Sequence, residues 1–267
     1  MKIIVHSHYA YFTDYLPVQG EKYIDCYNDV FVSRETIRPN SFALMIEPRS
    51  IEPRGYEYLL KNENWRQFAY IFTHDSELLK LPNAKFISNF GVWGWSDVPK
   101  TKNVSFISSW KEMCPLHKER RVLALEYDAE KDNDVDCFGS YKNPYGWADT
   151  YEAHAEYRFA IVIENYIDDY WFTEKICNCF ANKTVPIYYG ARKIDEFFNP
   201  QGIIKVDSVQ EIRERVNILR NFGFENVYES CLPAIEDNFK RVAKYEKMET
   251  YLIKEYGGLL DDLYSKA

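Results

Sequence analysis

Short apolar runs alternate with amphipathic stretches along most of the chain. Runs rich in β-branched and aromatic residues predict strands at 2–6, 41–47, 70–73, 85–87, 104–108, 134–138, 159–164, 184–189 and 203–206. Several of these runs are almost continuously apolar, as expected for parallel strands that are buried on both faces. Helical periodicity predicts helices at 118–126, 174–182, 209–221 and, as one long C-terminal helix, 235–264. The alternation predicts an α/β fold.

The periodic pattern is interrupted between residues 91 and 103. This stretch is rich in turn-forming and polar residues and has no sustained period. We therefore predict two domains, one over 1–98 and the other over 99–244. In folds of this class, the crevice at the carboxyl ends of the parallel strands is the usual ligand site.

The composition excludes several classes of protein. The 267 residues include 33 Lys+Arg and 41 Asp+Glu, and the resulting charge of −8 argues against a protein that mainly neutralises nucleic-acid phosphates. An aromatic content of 17% excludes disorder, which requires little to bury. We expect no integral membrane segment, because no apolar run is long enough and the first residues are unlike a signal peptide. The 6 cysteines are dispersed, and we expect free thiols.

The second domain contains the densest candidate chemistry. A predicted buried strand ends at Glu164 and Asn165, and after a polar and aromatic loop a helix begins at Thr173-Glu174-Lys175. Thr173 is suited to cap that helix, and Glu174 is favourable beside the positive end of the helix dipole. Lys175 is unfavourable there unless an anion binds, and the free N–H groups of a helix start can receive a phosphate. The pattern fits a phosphate site, and it also fits two solvated first-turn charges.

Several motifs of the second half follow one another in a fixed order. They are Tyr157-Arg158-Phe159, Glu164-Asn165, Thr173-Glu174-Lys175, Val185-Pro186-Ile187 with Gly190, Phe198-Asn199-Pro200 and Val206-Asp207. From about residue 104 to residue 210 this series resembles the α-1,3-fucosyltransferases, glycosyltransferase family 10. The resemblance is faint over the first 100 residues. It implies a GT-B-like architecture of two Rossmann-like domains that face a cleft, with the acceptor on the side of 1–98, the donor bound by 99–244, and a helix at about 245–267 that returns to the first domain.

The resemblance also implies an activity. The family consists of inverting glycosyltransferases that transfer L-fucose from GDP-fucose to a hydroxyl of a saccharide acceptor. We expect no cofactor and no essential divalent cation, and the expected partners are the nucleotide sugar and the saccharide. Asp134-Val135-Asp136 has the spacing of a metal-binding DxD pair, but it opens a predicted strand, so we predict no metal site. Familiar Golgi members carry an N-terminal membrane helix, and none is found here, so we expect a cytoplasmic enzyme of bacterial or viral type.

Residue roles in the donor site follow from the resemblance by position. Glu174 would contact the fucose, Lys175 would contact the diphosphate, and Asn165 would lie beside the same pocket. A family arginine that holds the diphosphate falls at Lys118 when counted without gaps, and Arg120 is a nearby alternative. The full set predicted to bind the donor is Lys118, Arg120, Glu164, Asn165, Tyr170, Trp171, Thr173, Glu174 and Lys175.

A general base is needed to deprotonate the acceptor hydroxyl, and a carboxylate is suitable. In the family this base is a Glu at the end of a strand of the first domain, just before a loop that contains Pro. Here the apolar run 42–46 ends at Glu47, which Pro48 follows, and we predict Glu47 as the catalytic base. Glu52 is the alternative, and an ordinary surface carboxylate is the third explanation.

Two further hypotheses stay open. The same fold with another nucleotide sugar or a non-glycan acceptor is possible, because Trp171 stands where the family commonly has Tyr and cannot reproduce a phenol hydrogen bond. A catalytically silent sugar-binding module is the other hypothesis, and the joint presence of Glu47, Glu174 and Lys175 disfavours it. The acceptor and the oligomeric state cannot be inferred from the sequence.

Overall fold

A computed structural model describes residues 1–8, 22–130, 134–146 and 148–267. The chain divides into two compact units, an N-terminal unit of Met1–Asn89 with Lys247–Ala267 and a central unit of Phe90–Glu246. Within these described ranges, each unit contains one five-stranded sheet, and all strand pairs are parallel. In the described part of the chain, no helix has both the length and the apolar character that crossing a membrane requires.

The strands of the N-terminal unit lie side by side in sequence order. They are β1 (Ile3–His6), β2 (Ile24–Asn28), β3 (Ser41–Met45), β4 (Tyr70–Thr73) and β5 (Ala84–Phe86). Strand β2 is not predicted from the sequence, because Asp25 and Asn28 interrupt its apolar pattern although every residue of the strand is buried. Since the sheet grows in one direction, right-handed crossovers place its connections on one face.

Helices cover both faces of this sheet. On one face, helix α1 (Pro53–Leu60) packs Tyr56 and Leu59 against a core that includes Ala43 and Ile71. On the other face lies a C-terminal helix, Met248–Ser265, whose Tyr256 ring centre is 5.3 Å from that of Phe72. Alternate residues along the strands serve the two faces, as the period of a strand requires.

The second sheet belongs to the central unit and has a reversal in its strand order. Its strands β6 (Lys102–Ile107), β7 (Val135–Phe138), β8 (Tyr157–Ile163), β9 (Val185–Tyr189) and β10 (Ile204–Lys205) are arranged as β10-β9-β8-β6-β7. Its helices are α2 (Pro115–Ala129), α3 (Thr150–His154), α4 (Glu174–Ala181), α5 (Val209–Phe222) and α6 (Phe224–Val242). The chain leaves β6 for β7 on one side and returns to β8 on the other. The space between β6 and β8 is therefore a topological switch point, where open α/β sheets bind ligands.

The prediction of a single helix over 235–264 is wrong. Helix α6 ends at Val242, a short 3-10 helix spans Ala243–Tyr245, and helix α7 (Met248–Ser265) follows as a separate element. Tyr245 is buried in the central unit against Phe90 and Phe198. Because the apolar residues keep a helical spacing through the break, periodicity alone does not reveal it.

The stretch 91–103, where the periodic pattern is interrupted, belongs to the central unit. The backbone N–H of Trp93 donates to Oδ1 of Asn178 at 2.8 Å, and that of Ser96 donates to the carbonyl of Ala181 at 3.1 Å. The structure therefore divides the chain after Asn89, earlier than the 98/99 boundary that the change in composition suggested.

Candidate functional site

A cavity of about 380 Å³ lies at the switch point of the central sheet. Ile107, Gly139 and Ile163 bring the carboxyl ends of β6, β7 and β8 to its wall, and the first turn of α4 adds Glu174 and Lys175. The place where the fold class favours a ligand is therefore the place where the predicted motif residues lie.

Positive side chains gather along one part of the wall. Lys111, Arg120 and Lys175 line the cavity together with His117 and Asn165. Arg120 is buried and donates from one guanidinium nitrogen to the Ile163 carbonyl at 3.1 Å and to Oδ1 of Asn165 at 3.2 Å. Its Nε has no hydrogen-bond partner among the described residues. The two hydrogen bonds fix the guanidinium at the cavity wall, and a fixed planar cation is suited to an anionic ligand.

The start of α4 is built on a buried carboxylate. Oε1 of Glu164 accepts from the backbone N–H of Thr173 at 2.9 Å, and Oε2 accepts from the Thr173 hydroxyl at 2.9 Å. Thr173 is the N-cap of α4, and its hydroxyl accepts from the backbone N–H of Lys175 at 3.3 Å. Glu164 itself is fully buried, so it orients the cap and does not face the cavity.

Lys175 is held between two carboxylates. Its Nζ lies 3.2 Å from Oε1 of Glu174 and 3.4 Å from Oε2 of Glu164, and it donates to the Thr173 hydroxyl at 2.9 Å. Burial alone would lower the pKa of Lys175, but Glu174 and Glu164 outweigh that effect and raise it. Lys175 is therefore a permanent positive charge at the cavity wall near neutral pH.

His117 is a member of the cavity wall that the predicted set lacks. Burial and the neighbouring positive charge of Arg120 lower the pKa of His117 to about 4. The imidazole is consequently neutral at pH 7 and can donate or accept a hydrogen bond without adding charge. The sequence signal was its position in the first turn of α2, three residues before Arg120, which places both side chains on one face of the helix.

Small residues form another part of the wall. Ser108 and Ser140 follow β6 and β7, and Gly139 between them has a φ of 96°. A Cβ on Gly139 would lie 2.3 Å from the carbonyl oxygen of Ser108, so only glycine fits this close approach. These residues were not predicted, because their proximity depends on strand order, which no local motif encodes.

Five of the residues predicted to bind the donor lie outside the cavity lining, namely Lys118, Glu164, Tyr170, Trp171 and Thr173. Lys118 is exposed and lines a different depression, because residues two apart on a helix point to opposite sides and Arg120 faces the cavity. Trp171 is buried, and the Tyr170 hydroxyl accepts a hydrogen bond from Lys193 at 2.8 Å. Of the two basic residues left open by the sequence, Arg120 is the one that the fold brings to the motif.

The predicted base, Glu47, lies in the N-terminal unit. It follows the end of β3 by two residues and is partly buried, and its backbone carbonyl accepts a hydrogen bond from the Tyr56 hydroxyl. The alternative, Glu52, is held by Arg54 through two hydrogen bonds of 2.8 and 2.7 Å. Hydrogen bonding to Arg54 lowers the pKa of Glu52, which makes this carboxylate a weaker base than an ordinary glutamate.

The DxD-like pair makes contacts within the protein. Asp136 accepts from the Tyr157 hydroxyl at 2.7 Å, and Asp134 accepts from Arg220 at 2.7 Å. Over the described ranges, no group of three or more His, Cys, Asp or Glu side chains is placed to hold a metal ion.

Known proteins have sequences similar to the part of the chain that forms the cavity. Residues 98–230 match the family model described as glycosyltransferase family 10 (fucosyltransferase), C-terminal part. An α-(1,3)-fucosyltransferase of Helicobacter pylori is 26% identical over 106 residues, which are 37% of this chain and 22% of that protein. An α-(1,4)-fucosyltransferase of Arabidopsis thaliana is 31% identical over 88 residues, which are 32% of this chain and 22% of that protein. The aligned part thus spans about a fifth of the length of these curated relatives.

Solved structures extend the likeness to most of the chain. A crystal structure of an α1,3-fucosyltransferase with GDP matches with a TM-score of 0.53 and 16% identity, covering 89% of this chain and 83% of that one. The structure of TarM matches with a TM-score of 0.55 and 14% identity, covering 91% of this chain and 54% of that one. At such identities the matches concern the fold, and they confirm the expected GT-B class with two Rossmann-like α/β units. The matched family model, which covers about half of the chain, and the similar curated fucosyltransferases show that the chain belongs to glycosyltransferase family 10, the fucosyltransferase family.

Proposed function

We propose that the chain is an inverting fucosyltransferase that takes L-fucose from GDP-fucose and transfers it to a hydroxyl of a saccharide. The observation that carries this proposal is the meeting of Arg120, Lys175 and the capped start of α4 at one cavity of the central unit. Family membership supports the reaction class, and GDP is the nucleotide in a structurally similar fucosyltransferase.

The positive wall fits the leaving group of this reaction. As the bond from fucose to the diphosphate breaks, negative charge grows on the departing phosphate oxygens. Fixed donors and cations that already point at this position stabilise the transition state more than the ground state. Arg120 would contribute a planar guanidinium that is already fixed in place, and Lys175 a point charge close to the backbone N–H groups of α4.

The remaining lining suits the two ends of the donor. Glu174 lines the cavity beside Lys175, where its carboxylate can accept hydrogen bonds from sugar hydroxyls. Ser108, Gly139 and Ser140 have small side chains, and they leave room and offer hydroxyls and backbone groups at this part of the wall. This part of the lining suits the nucleoside. Trp171 is buried away from this lining, so the change from the family's usual Tyr does not alter the cavity wall.

Glu47 is the proposed general base. As a carboxylate it would take the proton of the acceptor hydroxyl while that oxygen attacks the anomeric carbon from the side opposite to GDP. The anomeric configuration is then inverted in a single displacement. The positive side chains at the cavity support the further expectation that no divalent cation is essential, and transfer in the presence of excess EDTA would test it.

Calorimetry with GDP, GMP and UDP tests the donor assignment. We expect GDP to bind more tightly than GMP by about tenfold or more, because GMP lacks the β-phosphate and its charge-assisted hydrogen bonds. UDP tests whether the nucleoside end distinguishes guanine from uracil. Binding of none of the three, or equal affinity for GDP and GMP, would contradict the proposed donor site.

A further inference from the structure

Asp29 occupies an unusual backbone position in the N-terminal unit. It directly follows the last residue of β2 and has a φ of 46°, in the left-handed region that few residues other than glycine adopt. It is nevertheless a buried residue, at 5% exposure. A strained and buried carboxyl persists only where its surroundings hold it in place.

The carboxylate of Asp29 binds the backbone just beyond β3. Its Oδ1 accepts from the N–H of Ile46 at 2.9 Å and from the N–H of Glu47 at 3.1 Å. The register of β2 and β3 runs up to the pair Asn28 and Leu44. The Asp29 side chain therefore satisfies backbone donors where the strand ladder stops, and one of them belongs to the proposed base.

Helix α1 holds the other polar group of the Glu47 backbone, its carbonyl. The Tyr56 hydroxyl donates to the backbone carbonyl of Glu47, so both polar groups of the Glu47 backbone are held by named side chains. The adjacent Gly55 lets α1 approach closely, since a Cβ there would lie 2.7 Å from the carbonyl oxygen of Asp29. These contacts leave little freedom to the segment that carries Glu47.

We infer that Asp29 is the positioning residue of the base Glu47, which it holds through two backbone hydrogen bonds while taking no part in proton transfer itself. This inference rests on the proposed function, because it assigns a role through Glu47. A general base works only when its carboxylate is held within hydrogen-bond reach of the attacking hydroxyl, so displacement of its backbone lowers the rate of the chemical step.

A double-mutant cycle tests this inference. We expect Asp29→Ala to lower kcat by about 10- to 100-fold, because small displacements of a catalytic group have effects of that order. The Kd for GDP should stay unchanged, since the nucleotide site lies in the central unit. Asp29→Asn keeps an oxygen at the position of Oδ1 and should restore most of kcat. In a Glu47→Gln background, Asp29→Ala should cause no further loss of the residual rate.

The possible outcomes separate the two proposals. Independent losses that multiply in the double variant, or an Asn variant no better than Ala, would overturn the positioning role while leaving Glu47 as the base. Normal transfer by Glu47→Gln would instead overturn the base assignment, and the positioning role with it. If Asp29→Ala does not fold, Asp29→Ser replaces it in the same cycle, since the shorter hydroxyl side chain cannot hold both N–H groups in the same way.

Discussion

Two basic residues on one helix have different surroundings, and only one of them lines the cavity. Lys118 and Arg120 are both basic and both lie in the first half of α2, but one is exposed and the other is buried at the cavity. Their separation of two positions turns the side chains to opposite sides. Which basic residue reaches the site therefore depends on the face of the helix that each one occupies. Counting residues along a motif does not show this.

A matched pair of variants tests this difference. Arg120→Gln should weaken GDP binding by about 10- to 100-fold, because the ligand loses charge-assisted hydrogen bonds of about 1.5–3 kcal/mol. Lys118→Gln removes the same charge from the other side of the helix and should change the GDP affinity by less than about threefold, as weak surface electrostatics predict. Calorimetry on both variants, with thermal unfolding as a control for folding, gives the comparison. A larger effect from Lys118 would place the diphosphate elsewhere.

The buried carboxyl of Asp29 has a consequence for stability. Burial, with a smaller contribution from the Glu47 carboxylate, raises the pKa of Asp29 to about 7 from the ordinary value of 3.8. The folded state thus binds this proton more tightly than the unfolded state does. Its contribution to the free energy of unfolding must fall as pH rises from about 4 to about 7.

Asp29→Asn should remove that pH dependence. The groups that face Asp29 include Asn28 and Cys26 from β2, Glu47 just beyond β3 and Tyr56 from α1, and each remains in the variant. We expect the stability difference, Asn variant minus original protein, to increase as pH rises from 5 to 7 in urea unfolding experiments. Titrating groups that do not interact with Asp29 cancel in this difference. A difference that is constant over that interval would contradict the raised pKa.

Among the elements, the last two helices show how far the spacing of apolar residues can define helix boundaries. Periodicity located apolar residues correctly along α6 and α7 but joined the two helices, because Val242, Tyr245 and Met248 keep a helical spacing across the break. The break is a tertiary feature, since Tyr245 packs among aromatic residues of the central unit while α7 joins the N-terminal unit.

Two neighbouring positions of α7 test its role in the N-terminal unit. Leu252 is fully buried, whereas Ile253 is half exposed. Leu252→Ala should lower the free energy of unfolding by about 2–5 kcal/mol, the usual range for a buried leucine. Ile253→Ala, which makes a similar change at the surface, should alter it by no more than about 0.5 kcal/mol. Urea unfolding followed by two probes, one in each unit, would show the effect; equal effects of the two substitutions would contradict the packing of α7.

The strands illustrate a second limit of prediction from sequence. Continuous apolar runs located β3, β4, β8 and β9 closely, because their side chains are buried on both faces. Strand β2 was missed because its polar residues are satisfied by partners distant in sequence. Asn28, for example, donates to the carbonyl of Leu44 at 2.8 Å. Such compensation becomes visible only when the fold is known.

For the whole molecule, the fold class and the family could be predicted from the sequence patterns and motifs. The residues that line the cavity could be predicted only in part. Glu174, Lys175 and Asn165 line the cavity, as their place after β8 and at the start of α4 suggested. The small residues after β6 and β7 could not be predicted, because they meet only through the reversed strand order of the central sheet. His117 could have been found from its position three residues before Arg120 on α2.

NMR of the transfer reaction reports both which donor is used and which anomeric configuration the product has, so it tests fucosyl transfer from GDP-fucose with inversion. With a panel of saccharide acceptors, we predict a fucosylated product whose anomeric configuration is opposite to that of the donor, and stoichiometric release of GDP. Glu47→Gln should abolish most of the transfer while the Kd for GDP stays the same. A product that keeps the donor's configuration would contradict the single displacement by an activated hydroxyl. Transfer of a sugar from a different nucleotide sugar, with no transfer from GDP-fucose, would contradict the assigned donor.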